Sequence, residues 1–201
     1  MKMKTVALAV VLSLCFLFSA ITAKPLFAVM GKNNMRVAEP VLDTDGEEVR
    51  TNQTYLVRSF PLGGLTIAYA NYYQLYAVHE LAANLPLKFA LANTTGDVVL
   101  ASTDLHIKFA VCKCSDYSAW RPRLDAWSRQ SLVNVEKEEG IFQIIKVEDK
   151  IYKFAFSDGR DIRIYTYPFT YQRILGTNGE SFQVEFVKAN FINPPCLLGS
   201  F

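Results

Sequence analysis

Cysteine and histidine are the residue types in this sequence that most readily bind metals or act as nucleophiles. Cys112 and Cys114 form a Cys-Lys-Cys pair, and His79 and His106 are the only histidines. This spacing matches no usual zinc pattern. A thiol–imidazole catalytic pair is disfavoured too, because His106 lies in a run with ordinary strand alternation and no glycine-rich nucleophile turn accompanies it. We therefore predict no catalytic residue, no metal site and no cofactor.

Two sequons could carry glycans. They are Asn52-Gln53-Thr54 and Asn93-Thr94-Thr95, and both match the acceptor pattern for N-glycosylation in a secreted chain. We predict a glycoprotein with Asn52 and Asn93 as the attachment sites.

Residues 1–23 have the features of a secretory signal peptide. Two lysines precede an apolar run, Val6–Phe18, and small residues suggest cleavage near Ala23–Lys24. The run is shorter than the roughly 20 residues that a membrane-spanning helix needs. We predict that the mature chain, residues 24–201, is one domain that is secreted to the extracellular space (the apoplast in a plant) or delivered to the vacuole.

The charge distribution excludes some classes of partner. The chain has 21 basic and 19 acidic residues, and two of the basic residues belong to the predicted signal peptide. The mature chain is therefore close to neutral, and it contains no basic run. The near-zero charge argues against nucleic acid or an anionic membrane as the partner. We also expect the protein to be a monomer.

Short apolar runs separated by turn residues must position any functional side chains. Runs of four to eight residues at this spacing favour a β-sandwich or β-barrel over helical layers. Only Leu75–Leu85 has some helical character, through its alanines, and Pro86 would end it. The runs are Thr54–Val57, Leu65–Tyr69, Gln74–Val78, Leu85–Phe89, Val98–Leu100, Leu105–Val111, Phe142–Val147, Ile151–Phe156, Ile162–Tyr167 and Phe182–Phe186.

The stretch from Val41 to Val57 predicts a hairpin that opens this all-β domain. Asp43 and Gly46 suit a tight reversal, because aspartate accepts bonds from nearby backbone N–H groups and glycine tolerates positive φ. Val49 stands among polar neighbours, as an inward-facing residue of a half-buried strand does. The segment also resembles the signature of the plant Kunitz (soybean trypsin inhibitor-like) family. The matching places are Val41, Asp43, Gly46, Glu47, Val49, Tyr55 and Val57.

The resemblance extends over nearly the whole mature chain. Trp120 stands six residues after Cys114, as the family's Trp and Cys do, and Tyr152–Phe156 and Val184–Lys188 resemble its two late strands. It implies an all-β fold, the β-trefoil, with twelve short strands in a barrel of pseudo-threefold symmetry. We expect Trp120 and Trp127 to be core or barrel-cap residues.

The chain departs from the family pattern at its cysteines. The family usually has four in two disulfides, and the corresponding places here are Tyr73, Cys114, Ser157 and Gly159. Three cysteines remain after signal removal, so at most one intramolecular disulfide can form. Cys112 and Cys114 would lie along one strand, which is poor geometry for a bridge. Cys114 is either free or paired with Cys196.

The resemblance also implies a protease-binding loop within Ala90–Asp97, with the scissile bond near Thr95–Gly96. Its members are Ala92, Asn93, Thr94, Thr95, Gly96 and Asp97. Trypsin-directed relatives have Arg or Lys before the scissile bond, and this loop contains neither. The family braces the loop with an Asn from the first hairpin; Thr51 holds that place here, with Asn52 beside it.

These features support two functional hypotheses. The first is a plant-defence inhibitor of a serine or papain-like cysteine endopeptidase that is not directed at trypsin. The second is a non-inhibitory binding or storage protein on the same scaffold, which the altered loop and missing cysteines favour. Enzymatic activity is the least supported alternative.

Overall fold

The computed structural model describes residues 38–60, 62–71, 74–93, 95–110 and 117–189. These residues belong to one compact unit that begins at Ala38. The predicted signal peptide, Thr94 and all three remaining cysteines, Cys112, Cys114 and Cys196, lie outside the described residues. The described ranges contain no helix, and hence none long and apolar enough to cross a membrane.

Thirteen strands form within the described residues, where the resemblance implies twelve; one of them has only two residues. The strands are β1 (Tyr55–Phe60), β2 (Gly64–Asn71), β3 (Gln74–Glu80), β4 (Leu87–Leu91), β5 (Leu105–Phe109), β6 (Ala119–Leu124), β7 (Ser131–Glu136), β8 (Phe142–Glu148), β9 (Ile151–Phe156), β10 (Arg163–Thr166), β11 (Arg173–Gly176), β12 (Glu180–Ser181) and β13 (Gln183–Lys188).

Six of these strands close into a barrel. Strand β1 pairs with β4 and β13, β4 with β5, β13 with β9, and β9 with β8, and the pairing of β5 with β8 completes the ring. Closure leaves none of the six as a free sheet edge.

Three hairpins form the second layer. They are β2–β3, β6–β7 and β10–β11, and their strands β3, β7 and β11 pair with one another. A six-stranded barrel with three mutually paired hairpins is the β-trefoil, so the predicted fold is confirmed.

Aromatic side chains fill the barrel. Trp120 is fully buried, and its ring centroid lies 5.2 Å from that of Phe154 and 5.8 Å from that of Phe142. Phe154 also contacts Phe182 and Phe186, at 6.1 and 5.9 Å. Such ring pairs add to the free energy gained from burying their large apolar surfaces. The expectation that Trp120 belongs to the core is therefore correct.

The reversal between Val41 and Val49 has the predicted form, whereas Tyr55–Val57 belongs to β1 and pairs with β4 and β13. One Asp43 carboxylate oxygen accepts the N–H groups of Asp45 and Glu47, at 3.0 and 2.9 Å, and Gly46 has a φ of 85°. Val49 is fully buried. Its backbone bonds join Val41 and Val99, so the hairpin is tied to the segment that follows the candidate loop.

Two expectations are wrong. The segment Leu75–Leu85 is not helical, since it forms most of β3 and the turn after it; pairing with β2 along seven residues overrides the helix propensity of its alanines. Trp127 is not in the core, because its side chain is 76% exposed in the turn after β6.

Candidate functional site

The candidate loop leaves the barrel after β4 and is held at both ends by backbone hydrogen bonds. The Ala92 N–H donates to the Asp104 carbonyl at 3.1 Å, and the Thr51 N–H donates to the Asp97 carbonyl at 2.8 Å. Between these anchors Asn93, Thr95 and Gly96 are exposed. The ends of the loop are thus fixed while its described centre faces solvent.

Arg50 adds a side-chain anchor at the end of the loop. Its Nη1 lies 2.6 Å from Asp97 Oδ2, and its Nη2 lies 2.7 Å from Glu48 Oε2. The hydrogen bond to Asp97 is the largest cause that raises the pKa of Arg50 above its ordinary value. The guanidinium therefore links the first hairpin to the candidate loop as a permanent cation.

Arg50 is itself positioned from within the barrel. Its backbone N–H donates to the Tyr55 hydroxyl at 2.9 Å, and that hydroxyl donates to Gln53 Oε1 at 2.8 Å. Tyr55 is fully buried, and burial is the largest cause that raises the pKa of its hydroxyl. A neutral hydroxyl can both accept and donate, as this arrangement requires.

The two predicted support residues lie in the turn behind the loop. Thr51 contacts the loop through its backbone N–H, and Asn52 is exposed. Sequence reasoning missed Arg50, whose side chain forms an ion pair with Asp97 at the end of the loop. The available signal was the charge of Arg50, next to the predicted support positions and opposite in sign to Asp97 in the loop.

Gly96 gives the loop an unusual backbone path. Its φ is 140°, and a Cβ placed there would meet no atom of the described residues within 4 Å. The space around it is open, so the requirement for glycine comes from the backbone conformation alone. A protease substrate binds as an extended strand, and the chain departs from that conformation directly after Thr95.

Both predicted glycosylation sites are accessible. Asn52 and Asn93 are exposed, and Asn93 is two residues from Thr95 on the same loop. A glycan on Asn93 would therefore stand beside the predicted scissile bond, whereas one on Asn52 would lie on the supporting turn.

The two histidines have separate structural partners. His79 is buried with its Nε2 2.6 Å from Ser59 Oγ, and His106 Nδ1 donates to the Gly140 carbonyl at 2.8 Å. Within the part of the chain that the structure describes, no group of three His, Cys, Asp or Glu side chains is placed to hold a metal ion.

Comparison with known proteins identifies a matching family model and curated relatives. The family model for Kunitz-type trypsin and protease inhibitors of legumes matches residues 41–188. A 21 kDa seed protein of Theobroma cacao is 34% identical over 131 residues, which are 59% of this chain and 56% of that protein. The chain thus spans about half the length of the curated relatives that it matches.

Solved structures share the fold at low sequence identity. A Kunitz-type cysteine protease inhibitor from potato is 22% identical, with a TM-score of 0.64 over 77% of this chain and 100% of that one. A water-soluble chlorophyll protein from Brassica oleracea is 21% identical, with a TM-score of 0.65 over 76% and 99% of the two chains. The family model covers most of this chain and the β-trefoil agrees with it, so the chain belongs to the Kunitz family of plant protease inhibitors.

Proposed function

We propose that this protein inhibits an endopeptidase by presenting the loop Ala92–Asp97 to the active-site cleft. The observation that carries the proposal is the attachment of an exposed loop at both ends, by two backbone hydrogen bonds and by the Arg50–Asp97 ion pair. A loop fixed before binding loses less conformational entropy in the complex than a flexible peptide does.

The target in this proposal is a serine protease with a small primary pocket or a papain-like cysteine protease. Thr95 is short and uncharged, and the loop contains no Lys or Arg. In a trypsin-like pocket the missing cation leaves a buried carboxylate unpaired, which costs roughly 2–5 kcal/mol, or about two to three orders of magnitude in affinity. We further propose that the protein is a monomeric plant-defence glycoprotein, secreted or vacuolar.

The second candidate is a non-inhibitory binding or storage protein. The specific observation in its favour is the φ of 140° at Gly96, which interrupts the extended path that a protease requires. The similarity to a seed protein of cacao agrees with this alternative.

A panel of proteases separates the two candidates. The purified protein is titrated against trypsin, chymotrypsin, elastase, subtilisin and papain, and inhibition constants are measured. Tight inhibition of elastase, subtilisin or papain, with little effect on trypsin, is the result expected for an inhibitor. Lack of inhibition across the panel would favour the storage or binding alternative.

Substitutions in the loop test its position. Thr95→Arg combined with Asn93→Gln, in a glycosylating host, should strengthen trypsin inhibition by about two orders of magnitude, because a guanidinium pairs with the pocket carboxylate. Thr95→Arg alone should gain less if Asn93 carries a glycan. Thr170→Arg, at an exposed threonine outside the loop, is the matched control. No gain from the double variant would mean that the loop is misplaced or not held in an inhibitory shape.

A further inference from the structure

Strands β3 and β7 enclose a groove on the side of the hairpin layer. The two strands pair at a single position, Tyr76 with Asn134. Two adjoining cavities, of about 510 and 480 Å³, open beside this pair, and they share the lining residues Gln74, Arg123, Asn134 and Glu136. Each volume lies in the range of small-molecule sites. We call the two cavities together the β3–β7 groove.

A buried amide oxygen without a partner among the described residues lies at this groove. Asn134 lines both cavities and is only 3% exposed, and its Oδ1 has no hydrogen-bond partner within the part of the chain that the structure describes. Such a buried acceptor is destabilising, since it has lost its hydration and gained no bond in return. A bound molecule with hydroxyl or N–H donors would satisfy it.

Aromatic side chains flank the amide on both sides. Trp127 lines one cavity with 76% of its side chain exposed, and its ring is held edge-on by Phe169 at a centroid distance of 5.3 Å. Tyr69 and Tyr117 line the other cavity and are 43% and 47% exposed. The groove thus has apolar ring surfaces at its two ends and hydrogen-bonding groups between them.

Internal contacts engage the charged side chains that line the groove, and one of these cations, Lys137, has its Nζ 5.3 Å from the centroid of the Tyr117 ring. Arg123 binds Glu136 through two hydrogen bonds of 2.7 and 2.9 Å. Two further carboxylates that line the groove are also engaged, Asp125 with Ser128 and Glu138 with Arg121. A charged ligand would have to compete with these pairs, so the lining favours a neutral one.

We propose that the β3–β7 groove binds a neutral oligosaccharide. A sugar hydroxyl donates to Asn134 Oδ1, the C–H face of a pyranose ring lies on the Trp127 indole, and neighbouring hydroxyls bond to the paired Arg123 and Glu136. A sugar combines apolar C–H faces with many hydroxyl donors, which matches the alternation of rings and polar groups in this groove. The proposal does not depend on protease inhibition, because the groove shares no residue with the loop Ala92–Asp97.

The two tryptophans provide a direct optical test. Trp120 is fully buried and Trp127 is exposed, so a ligand in the groove should change the emission of Trp127 only. The full chain, enzymatically deglycosylated so that its own glycans do not compete, is titrated with cellotetraose, chitotetraose, maltotetraose and mannotetraose. Calorimetry measures each affinity. At least one neutral tetrasaccharide should bind with a blue shift of the emission.

Three variants assign the binding to the groove. Trp127→Ala should weaken binding at least about tenfold, whereas Trp127→Phe should keep most of the affinity and lose the optical signal. Asn134→Leu should abolish binding and raise the melting temperature, because an apolar residue of similar size removes a buried unpartnered acceptor. Tyr171→Ala, at an equally exposed aromatic residue that lines a different cavity, should bind normally.

Several results would overturn the proposal. One is the absence of binding to all four neutral tetrasaccharides. A second is binding that Trp127→Ala and Asn134→Leu leave unchanged. A third is binding only to a sulfated tetrasaccharide or to a peptide, since the charge argument would then be wrong. A fall in the melting temperature of Asn134→Leu would show that the amide has a structural role.

Discussion

Replacing Tyr55 with phenylalanine tests the chain of contacts behind the candidate loop. The Tyr55 hydroxyl accepts the Arg50 N–H at 2.9 Å, and Arg50 in turn holds Asp97. The ring, whose centroid lies 6.1 Å from that of Phe89, stays in place, because phenylalanine keeps its shape. The substitution therefore removes hydrogen bonds and creates no large cavity.

The expected cost follows from the groups that lose their partners. An unsatisfied buried polar group costs about 1–3 kcal/mol. Arg50 is only partly buried, so water can reach part of its backbone, and we expect about 1–2 kcal/mol. Urea denaturation should show a lower midpoint with an unchanged slope. For a chain of this size the melting temperature falls by about 2–4 °C for each kcal/mol.

Tyr152→Phe is the matched control for this variant. The Tyr152 hydroxyl accepts the Leu42 N–H at 2.8 Å, at the other arm of the same hairpin. Both variants should lose similar stability, but only Tyr55→Phe should also weaken protease inhibition severalfold. An unchanged midpoint for Tyr55→Phe would refute the hydrogen-bond argument, and equal inhibition by both variants would refute the link to the loop.

Three further predictions concern the core, the pH dependence and the thiols. Phe154→Ala should lower the free energy of unfolding by about 3–5 kcal/mol in urea titrations, since it leaves a cavity among fully buried rings. Burial is the largest cause that raises the pKa values of Tyr55, Tyr152 and Tyr167. The stabilisation that these tyrosines contribute should be fully present below about pH 10, the pKa of tyrosine in the unfolded chain, and should be lost as the pH rises through their pKa values in the folded protein. The loss should be smaller in Tyr55→Phe. Mass spectrometry after alkylation, with and without reduction, should show at least one free thiol, and three protected thiols in a monomer would contradict the prediction of at most one disulfide.

Local patterns allowed most of the barrel to be predicted. Strand β9 has the predicted bounds, Ile151–Phe156, and the Asp43–Gly46 reversal follows from side-chain and backbone preferences that act over a few residues. Strands β6 and β7 were missed for a physical reason. Pro122 lies within β6 and normally argues against a strand, whereas β7 buries both faces and so lacks alternation.

The contacts that shape the candidate site were beyond the reach of sequence patterns. Arg50 and Asp97 are 47 residues apart, and nothing local pairs them until the hairpin and the loop are folded together. The exposed position of Trp127 also depends on tertiary context, because the composition of the turn does not show which face of it the barrel covers. A large aromatic residue is more often buried, and here that general rule failed.

The turn after β9 shows how this chain fixes a segment in which, by the resemblance described above, Kunitz-family proteins usually have cysteines. Ser157 and Gly159 occupy two of those places. The Phe156 N–H donates to the Arg160 carbonyl and the Gly159 N–H to the Phe156 carbonyl, both at 2.9 Å. The Arg160 guanidinium pairs with Asp158 at 2.7 Å and lies 5.6 Å from the centroid of the Phe156 ring. These contacts fix the turn only in the folded state, whereas a disulfide also restricts the unfolded chain. The stability that a cross-link would supply must therefore come from burial of the aromatic core, which a domain of this length can provide.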